Sequence, residues 1–179
     1  MKLIKNTGLK KIISYIIYRI AITFYKLLYL SPLQIIFLRF FGAKIGKNVF
    51  LESNIIFYNL YTNGFKNLII GDNVYIGPNC IFDLANKIIF GDNVTVAAGV
   101  SFITHTNVGY KDHYLQSKFP RIDKAIEVKE NSFISVDSTI LNGVTIEQNN
   151  FIGAKSLVNK STEPNNVYYG IPIKRIKEI

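Results

Sequence analysis

The stretch "VKENSFISVDSTILNGVTIEQNNFIGAKSLVNKSTE", residues 128–163, divides into six consecutive hexads, each of which opens with valine or isoleucine. The residue four places after each opening position is mostly small or β-branched: Ser132, Ser138, Val144 and Ser156, with Asn150 as the exception. An α-helix repeats about every 3.6 residues and a strand about every two. A six-residue period therefore indicates neither a helix face nor one long strand.

This period is typical of a triangular prism in which the chain turns after each short strand. The leading aliphatic side chain points inward at each step, and neighbouring Gly, Asn and Asp accept the turn conformations that β-branched residues resist. Three hexads make one coil of about eighteen residues, and such coils bury a core only by stacking. Shorter runs of the same period begin at Ile45, Ile70 and Phe90. The sequence thus predicts a mainly β protein whose residues 42–179 form a parallel β-helix.

The order of the motifs carries a resemblance to a known family. The chain has "IGDNV" at residues 70–74, an interrupted coil with a histidine, a return through "FPRIDKAIEV", uninterrupted hexads, and the ending "IGAKSLVNKSTEPNNVYYGIPIKRIKEI". This order resembles the hexapeptide-repeat acyltransferases, and most of all the bacterial O-acetyltransferases that decorate surface polysaccharides. The resemblance implies a left-handed parallel β-helix, an exception to the right-handed crossover rule, with a C-terminal tail over residues 164–179.

Residues 1–41 have a different composition, in which lysine, arginine and aromatic residues interrupt short apolar runs. The segment lacks the pattern of a cleavable signal peptide, and its runs are shorter than the about 20 residues of a transmembrane span. We predict two helices, residues 9–30 and 32–41, with Ser31 as the N-cap of the second and Pro32 in its first turn. A basic, aromatic, apolar helix of this kind either lies in a membrane interface or packs against the rest of the protein or a neighbouring subunit.

The composition bounds the class of protein. A chain of 179 residues that is 49% hydrophobic is suited to one domain with a large core. Cys80 is the single cysteine, which excludes a disulfide within the chain and is compatible with a reducing cytoplasm. The net charge of +9 suits nucleic acid, an anionic membrane or an anionic cofactor. The basic residues cluster in the N-terminal segment and the C-terminal tail rather than in one aromatic stripe, so we expect no nucleic acid as a partner.

The six-residue period stops at "SFITHTNVGYKDHY", residues 101–114, and both histidines of the protein lie in this interruption. A long insertion in a compact repeat is uncommon and is usually functional. We predict a loop excursion over residues 106–125 that folds over a neighbouring subunit and walls off a cleft. His105 lies at the base of the excursion, where the regular coil holds it rigidly.

His105 is the predicted catalytic residue. A neutral imidazole, with an ordinary pKa near ~6.5, takes the proton of an alcohol as the alcohol oxygen attacks a thioester. The match to the family motif assigns this role of general base to His105, with a backbone N–H of an adjacent coil as oxyanion donor. No acyl-enzyme is required, so Cys80 need not be a nucleophile. His113 lies in the excursion without motif support, and we expect it to be a loop or acceptor-contact residue.

Asn79 and Asp83 lie roughly one coil before the histidine segment, counted back through the hexads. In the family an Asn or Asp at this place contacts the acceptor or orients the base, and a carboxylate would fix the imidazole tautomer. We therefore predict that both residues line the acceptor site. The alternative for each is an ordinary turn residue.

The resemblance implies acetyl-CoA as the acyl donor, bound in a groove between neighbouring C-terminal coils of a homotrimer, and no metal. The pantetheine arm is expected to pair with backbone groups of four residues: Asn142, Gly143, Gly153 and Ala154. The phosphates are expected to meet four cations: Lys155, Lys160, Lys174 and Arg175. The alternative for the lysines is plain solvated surface.

We predict an O-acetyltransferase that moves acetyl from acetyl-CoA to a hydroxyl of a sugar or glycan intermediate of a surface polysaccharide, capsule or lipopolysaccharide. We place it in the cytoplasm, at the inner face of the cytoplasmic membrane, with peripheral contact through residues 1–41. An N-acetyltransferase of an amino sugar nucleotide, which uses the same base, and a non-catalytic solenoid both stay open as alternatives. A zinc enzyme of the same fold, the γ-type carbonic anhydrase, needs three histidines, and the chain has two.

Overall fold

The computed structural model describes residues 9–110 and 112–179, with side chains from residue 12 onward. The predictions for residues 1–8 lie outside the described residues. Two helices come first, α1 (Leu9–Tyr25) and α2 (Ser31–Phe40). Short strands and turns then wind into a left-handed parallel β-helix with three flat sides, so the predicted fold class is confirmed.

The described residues form five coils of three strands each. The first contains β1 (Lys44–Ile45), β2 (Phe50–Leu51) and β3 (Ile56–Tyr58). A 3₁₀ turn, Gly64–Asn67, leads to the second, which contains β4 (Leu68–Ile70), β5 (Tyr75–Ile76) and β6 (Ile81–Asp83). The third contains β7 (Ile88–Phe90), β8 (Thr95–Val96) and β9 (Ser101–Phe102). The excursion then contributes β10 (His105–Thr106) and β11 (Ile122–Asp123). The fourth coil contains β12 (Ile126–Val128), β13 (Phe133–Ile134) and β14 (Thr139–Ile140), and the fifth β15 (Thr145–Ile146), β16 (Phe151–Ile152) and β17 (Leu157–Val158). The chain closes with β18 (Asn166–Tyr169) and β19 (Lys174–Glu178).

Corresponding strands of successive coils pair in parallel and form three sheets. Sheet A holds β1, β4, β7, β12 and β15, and sheet C holds β3, β6, β9, β14 and β17. Sheet B holds β2, β5, β8, β13, β16 and β18, and β19 is added antiparallel at its end. The C-terminal tail is thus the last layer of sheet B rather than a loose extension. We call the three edges where the chain passes between sheets the AB, BC and CA corners.

The core consists of the side chains that the six-residue period predicts to point inward. The leading aliphatics of the six hexads are all fully buried: Val128, Ile134, Ile140, Ile146, Ile152 and Val158. The positions four residues later are also buried, Asn150 included. Asn150 is satisfied there because its amide N–H donates to Thr162 Oγ1 at 2.6 Å and its oxygen accepts the backbone N–H of Asn166 at 2.8 Å. The amide nitrogen and the oxygen of the buried Asn150 side chain therefore each have a partner.

A ladder of asparagines defines the AB corner. Each member has a positive φ, and each side-chain amide donates to the next member one coil later: Asn48, Asn73, Asn93, Asn131, Asn149 and Asn165. Asparagine tolerates this left-handed conformation better than branched residues do. The ladder turns the chain at the same place in every coil and so keeps the sheets in register.

The two helices cover the N-terminal coils with one face each. Tyr25 of α1 and Leu38 of α2 are buried, and Tyr25 meets Phe57 edge-on at 5.2 Å between ring centroids. The predicted N-cap was wrong: Leu30 is the N-cap of α2, and Ser31 is already its first helical residue. Ser31 Oγ instead accepts the backbone N–H of Leu51 at 2.9 Å, so the hydroxyl ties the helix to the coil.

Candidate functional site

His105 lies at the CA corner, just beyond the end of β9. Its Nδ1–H donates to Oδ2 of Asp83 at 2.5 Å, and Asp83 ends β6, the neighbouring strand of sheet C. A carboxylate only accepts hydrogen bonds, so this contact places the proton of the neutral imidazole on Nδ1. Nε2 then carries the free lone pair, and the side chain is 21% exposed. The arrangement can accept a proton at Nε2 from a molecule outside the coil.

Asp83 is held by a set of donors and is itself fully buried. Besides the imidazole, Oδ2 accepts the backbone N–H groups of Thr104 and His105, each at 3.0 Å. Oδ1 accepts the backbone N–H of Ala85 at 3.2 Å and the side-chain amide of Asn59 at 2.9 Å. Because every partner of both oxygens is a donor, the site is built for an ionised carboxylate in one fixed orientation. Of the two roles predicted for Asp83, this geometry favours orientation of His105 over contact with an acceptor.

Asn59 is a member of this cluster that sequence reasoning missed. It follows β3 with a φ of 57°, and its amide nitrogen lies 3.4 Å from His105 Nδ1 as well as within bonding distance of Asp83. The 3₁₀ turn lengthens the coil between Asn59 and Asp83. A count of eighteen residues back from Asp83, the length of a regular coil, therefore does not arrive at Asn59. The useful signal is the pairing register, in which Tyr58 lies beside Asp83.

A cleft of about 190 Å³ opens between helix α1 and the end of β3. Its lining includes Tyr15 and Arg19 from the helix and Tyr58, Asn59 and Tyr61 from the coil. Burial, and secondarily the negative charge of Asp83, raises the pKa of Tyr58 to about 12, so its hydroxyl stays protonated at neutral pH. Through Asn59 the cleft borders the Asp83–His105 pair, and it presents several tyrosine rings with their hydroxyls and one guanidinium.

The excursion starts as a small antiparallel ribbon, in which His105 of β10 pairs with Asp123 of β11. Arg121 fastens the returning arm: its guanidinium donates to Tyr61 Oη at 2.8 Å and to both oxygens of Asp123. The hydrogen bond with Asp123 is the main cause that raises the pKa of Arg121 above its ordinary value. The excursion is therefore anchored beside the cleft rather than free at its base.

The predicted cofactor residues lie at two different corners. Asn142 and Gly143 occupy the CA corner one coil after His105, and the amide of Asn142 donates to Thr106 Oγ1 at 3.1 Å. Lys160 is exposed at the same corner one coil further on. These residues form a strip that runs along the coil axis from the histidine, with Gly143 at a φ of 78° in the turn.

Gly153, Ala154 and Lys155 lie instead at the BC corner. The backbone groups of Gly153 are paired within the chain: its N–H donates to Tyr168 O at 2.7 Å, and its carbonyl accepts the hydroxyls of Ser138 and Ser156. Ala154 and Lys155 are exposed, and Lys155 Nζ lies 3.9 Å from Asp137. Their corner borders an open cleft beside sheet C that Ile171 also lines.

The two cations of the tail lie on β19. Lys174 is exposed. The guanidinium of Arg175 donates to Asn166 and lies 3.7 Å from Glu178, so part of its donor capacity is used within the chain. Neither residue lies on the CA strip that holds Asn142 and Lys160.

Among the described residues, Asn79 and His113 make no hydrogen bond with the Asp83–His105 pair. Asn79 is at the BC corner, at the opposite end of β6 from Asp83, with a φ of 59° and its oxygen accepting the amide of Asn54 at 2.6 Å. This is the turn-residue alternative, since four residues along one strand span a whole side of the prism. His113 is exposed in the excursion, where its Nδ1 accepts the backbone N–H of Leu115 at 3.1 Å.

Cys80 is fully buried, and its thiol donates to the carbonyl of Ala97 at 3.2 Å. Burial raises the pKa of this thiol to about 11, which keeps the nucleophilic thiolate scarce. The local geometry therefore makes Cys80 a core residue. Among the side chains that the structure describes, no group of three or more His, Cys, Asp or Glu is arranged to hold a metal ion.

Comparisons with known proteins point in one direction. A family model described as "Hexapeptide repeat of succinyl-transferase" matches residues 67–103. Galactoside O-acetyltransferase of Escherichia coli K12 is 32% identical over 138 residues, which cover 76% of this chain and 64% of that protein. A relative from E. coli K12 that is named as a colanic acid biosynthesis acetyltransferase is 29% identical over 141 residues. These residues cover 79% of this chain and 72% of the relative.

A solved structure extends the comparison to the fold. The crystal structure of a maltose O-acetyltransferase from Clostridium difficile 630 matches this fold with a TM-score of 0.69 and 31% sequence identity. The match covers 82% of this chain and 74% of the maltose O-acetyltransferase chain. The chain spans less than two thirds of the length of the galactoside O-acetyltransferase named above.

Proposed function

Because the chain belongs to the hexapeptide-repeat acetyltransferase family, we propose that it transfers the acetyl group of acetyl-CoA to a hydroxyl of a sugar or glycan. The observation that carries this proposal is the imidazole of His105, fixed through Nδ1 by a buried carboxylate with Nε2 free. The relatives named for galactoside, maltose and colanic acid support a carbohydrate acceptor. We favour an intermediate of a surface polysaccharide, capsule or lipopolysaccharide.

His105 acts as the general base in this proposal. Nε2 takes the proton of the acceptor hydroxyl while the oxygen attacks the thioester carbonyl carbon. The carbon–sulfur bond then breaks, and the imidazolium returns the proton to the leaving sulfur, so the products are an acetyl ester and the free thiol of CoA. Asp83 stabilises the imidazolium that exists between the two proton transfers, because its charge lies against Nδ1 throughout.

Asn59 is the positioning residue for this pair. Its amide satisfies Asp83 Oδ1, which leaves Oδ2 directed at the imidazole and the two backbone N–H groups. Asn54 offers a matched control, because it also has a positive φ and donates to a residue one coil later, in its case Asn79. We expect Asn59→Gly to lower kcat with little change in KM, whereas Asn54→Gly retains wild-type kcat.

We assign the acceptor to the cleft between α1 and β3. Tyr15, Tyr58 and Tyr61 supply aromatic faces against which the apolar face of a sugar ring packs, and Arg19 supplies a cation for an acidic or phosphorylated acceptor. Asn59 lines this cleft and also contacts the catalytic pair, and in this proposal the acceptor extends past Asn59 so that one hydroxyl reaches Nε2 of His105. We also propose that His113, which lies in the excursion, contacts the outer part of the acceptor.

For the acyl donor we propose the CA strip, with Asn142 and Gly143 beside the pantetheine arm and Lys160 near the phosphates. Ala154, Lys155 and Lys174 lie at other places on one chain. They are cofactor contacts only if a second subunit brings its BC corner against the strip, and we therefore propose a homotrimer with its sites between subunits. Light scattering in solution should give three times the 20.3 kDa mass of one chain; a monomer with full activity would remove these residues from the donor site.

We place the enzyme in the cytoplasm, at the inner face of the cytoplasmic membrane. In this proposal the enzyme takes acetyl-CoA from the cytoplasm. Residues 1–41 provide the contact with the membrane. Within the described residues no helix is both long and apolar enough to span a bilayer.

The acceptor test is acetyl transfer from acetyl-CoA to a panel of free sugars, nucleotide sugars and lipid-linked glycans, read by mass spectrometry of the product. We expect a product one acetyl group heavier whose acetyl is released by mild hydroxylamine, as an ester is. An acetyl that survives hydroxylamine would identify an amide and would establish the N-acetyltransferase alternative. Absence of any acetylated product across the panel would favour the non-catalytic solenoid.

A further inference from the structure

Helices α1 and α2 carry an apolar surface that no described part of the chain covers. On α1 and the turn after it the exposed residues are spaced four and three apart, so they form one stripe: Ile13, Ile17, Ile20, Phe24 and Leu27. Helix α2 continues the surface with three more exposed residues: Leu33, Ile36 and Phe40. We call these eight side chains the outer helical face.

The opposite faces of the same helices are already occupied. Tyr18 and Ile22 of α1 pack against the core, and Tyr25 is buried in it. In α2 the side chain of Leu38 is fully buried. Neither helix can turn its outer residues inward without exposing these, so nothing in the described part of the chain covers the outer helical face.

The charge of the protein is concentrated beside this surface. Residues 1–51 contain nine lysines and arginines and no acidic residue, since Glu52 is the first acid of the chain. These nine charges equal the whole net charge of +9, so the remaining residues are balanced. Arg19 is exposed on α1, and Lys26 is exposed in the turn directly after it. The occupant should therefore combine an apolar interior with an anionic surface.

We propose that the outer helical face docks in the plane of an anionic membrane, with its apolar side chains in the lipid boundary and its cations at the headgroups. Face-to-face pairing of two copies fits the surface less well, because it would bring two wholly basic segments together. A head-to-tail contact with a different face of a second copy is the rival that the oligomer measurement below tests. The face also does not lead to a membrane span, because within the described part of the chain no helix qualifies as one. This inference rests on the membrane contact proposed above for residues 1–41 and specifies its surface, and it is independent of the acetyl-transfer step.

The apolar part of the surface is tested with the full-length protein and sedimented vesicles of phosphatidylglycerol or of phosphatidylcholine. Ile20 is 54% exposed and Phe24 60% exposed, so Ile20→Asp combined with Phe24→Asp leaves the core intact. We expect binding to phosphatidylglycerol to fall ~10-fold or more in this variant. Ile179→Asp is the matched control, since Ile179 is 71% exposed at the far end of the chain, and it should bind as the wild type does.

The basic part is tested separately with Lys26→Gln, because Arg19 also lines the cleft proposed for the acceptor. This neutralisation should weaken binding to phosphatidylglycerol about fivefold, and high salt should reduce the difference. Lys118→Gln, which removes an exposed lysine of the excursion, should have no effect. Equal binding to phosphatidylcholine and phosphatidylglycerol, wild-type binding by the Ile20→Asp and Phe24→Asp variant, or no sedimentation of the wild type would each overturn the proposal. A smaller oligomer in that double variant would assign the face to subunit contact and overturn it as well.

Discussion

Replacement of Asp83 by asparagine tests how the base is held. The two carboxylate oxygens of Asp83 accept five N–H groups, three at Oδ2 and two at Oδ1. Asparagine supplies one acceptor oxygen and an amide that donates. If its oxygen keeps the three contacts of Oδ2, its amide faces Asn59 and the backbone N–H of Ala85. The amide of Asn59 can rotate to accept, but the N–H of Ala85 stays buried without a partner.

One buried donor without a partner costs about 1–3 kcal/mol, so we expect Asp83→Asn to lower the free energy of unfolding by that amount. The protein should still fold, because the other contacts survive. The loss of the negative charge acts on catalysis instead: the imidazolium formed during proton transfer is no longer stabilised at Nδ1. General-base catalysis contributes about 10²–10⁴ in rate, and we expect kcat to fall by about 100-fold with KM within about twofold of the wild-type value.

The assay is release of CoA thiol under saturating acetyl-CoA and acceptor, beside urea unfolding of the same preparations. Asp92→Asn is the matched control, because Asp92 is exposed and its Oδ1 accepts a single backbone N–H, from Asp72, which the oxygen of asparagine can also accept. This control should keep wild-type kcat and change the unfolding free energy by less than about 0.5 kcal/mol. Wild-type kcat in Asp83→Asn would refute the idea that the buried carboxylate supports the base.

Three further outcomes follow from the coil and its excursion. At pH 8, Cys80 should react with a thiol reagent at least ~100-fold more slowly in the folded than in the urea-unfolded protein, because burial raises its pKa from 9.0 to about 11; equal rates would contradict this. Phe102→Ala should lower the unfolding free energy by about 3–5 kcal/mol, because its buried ring packs 5.3 Å from the ring of Phe82. In the control Phe151→Ala, at a position that is 41% exposed, the unfolding free energy should fall by less than half as much. Arg121→Ala should speed chymotrypsin cleavage within residues 107–121, because it frees the returning arm from Tyr61, while Lys118→Ala should leave the rate unchanged.

The coil could be predicted because the six-residue period of the sequence matches the spacing of the buried side chains and of the turns. Each leading aliphatic of residues 128–163 is fully buried, and the asparagines near them hold the left-handed turns of the AB corner. The same arithmetic explains why Asn79 lies apart from Asp83 within one chain. A residue four positions from Asp83 lies at another corner of the prism, so nearness in sequence placed two residues together that the fold keeps apart.

The site was predictable only where a motif carried it. His105 and Asp83 meet as the resemblance implies, but Asn59 escaped because the 3₁₀ turn Gly64–Asn67 lengthens its coil. Sequence spacing also could not show that both backbone groups of Gly153 are used within the chain. Ser31 was predicted to be an N-cap because a hydroxyl near the start of a helix usually caps that helix. The hydrogen bond that its hydroxyl accepts from Leu51 depends on tertiary packing, which the sequence spacing does not show.

The most direct test of the account is thiol release from acetyl-CoA by the wild type and by His105→Ala with one acceptor that the wild type uses. Circular dichroism and the thermal midpoint would show that both proteins are folded. The account predicts acceptor-dependent release that falls at least ~100-fold in His105→Ala, the usual scale for loss of a general base. Release at the wild-type rate in the variant would contradict it and move the base elsewhere, with His113 the next histidine to change.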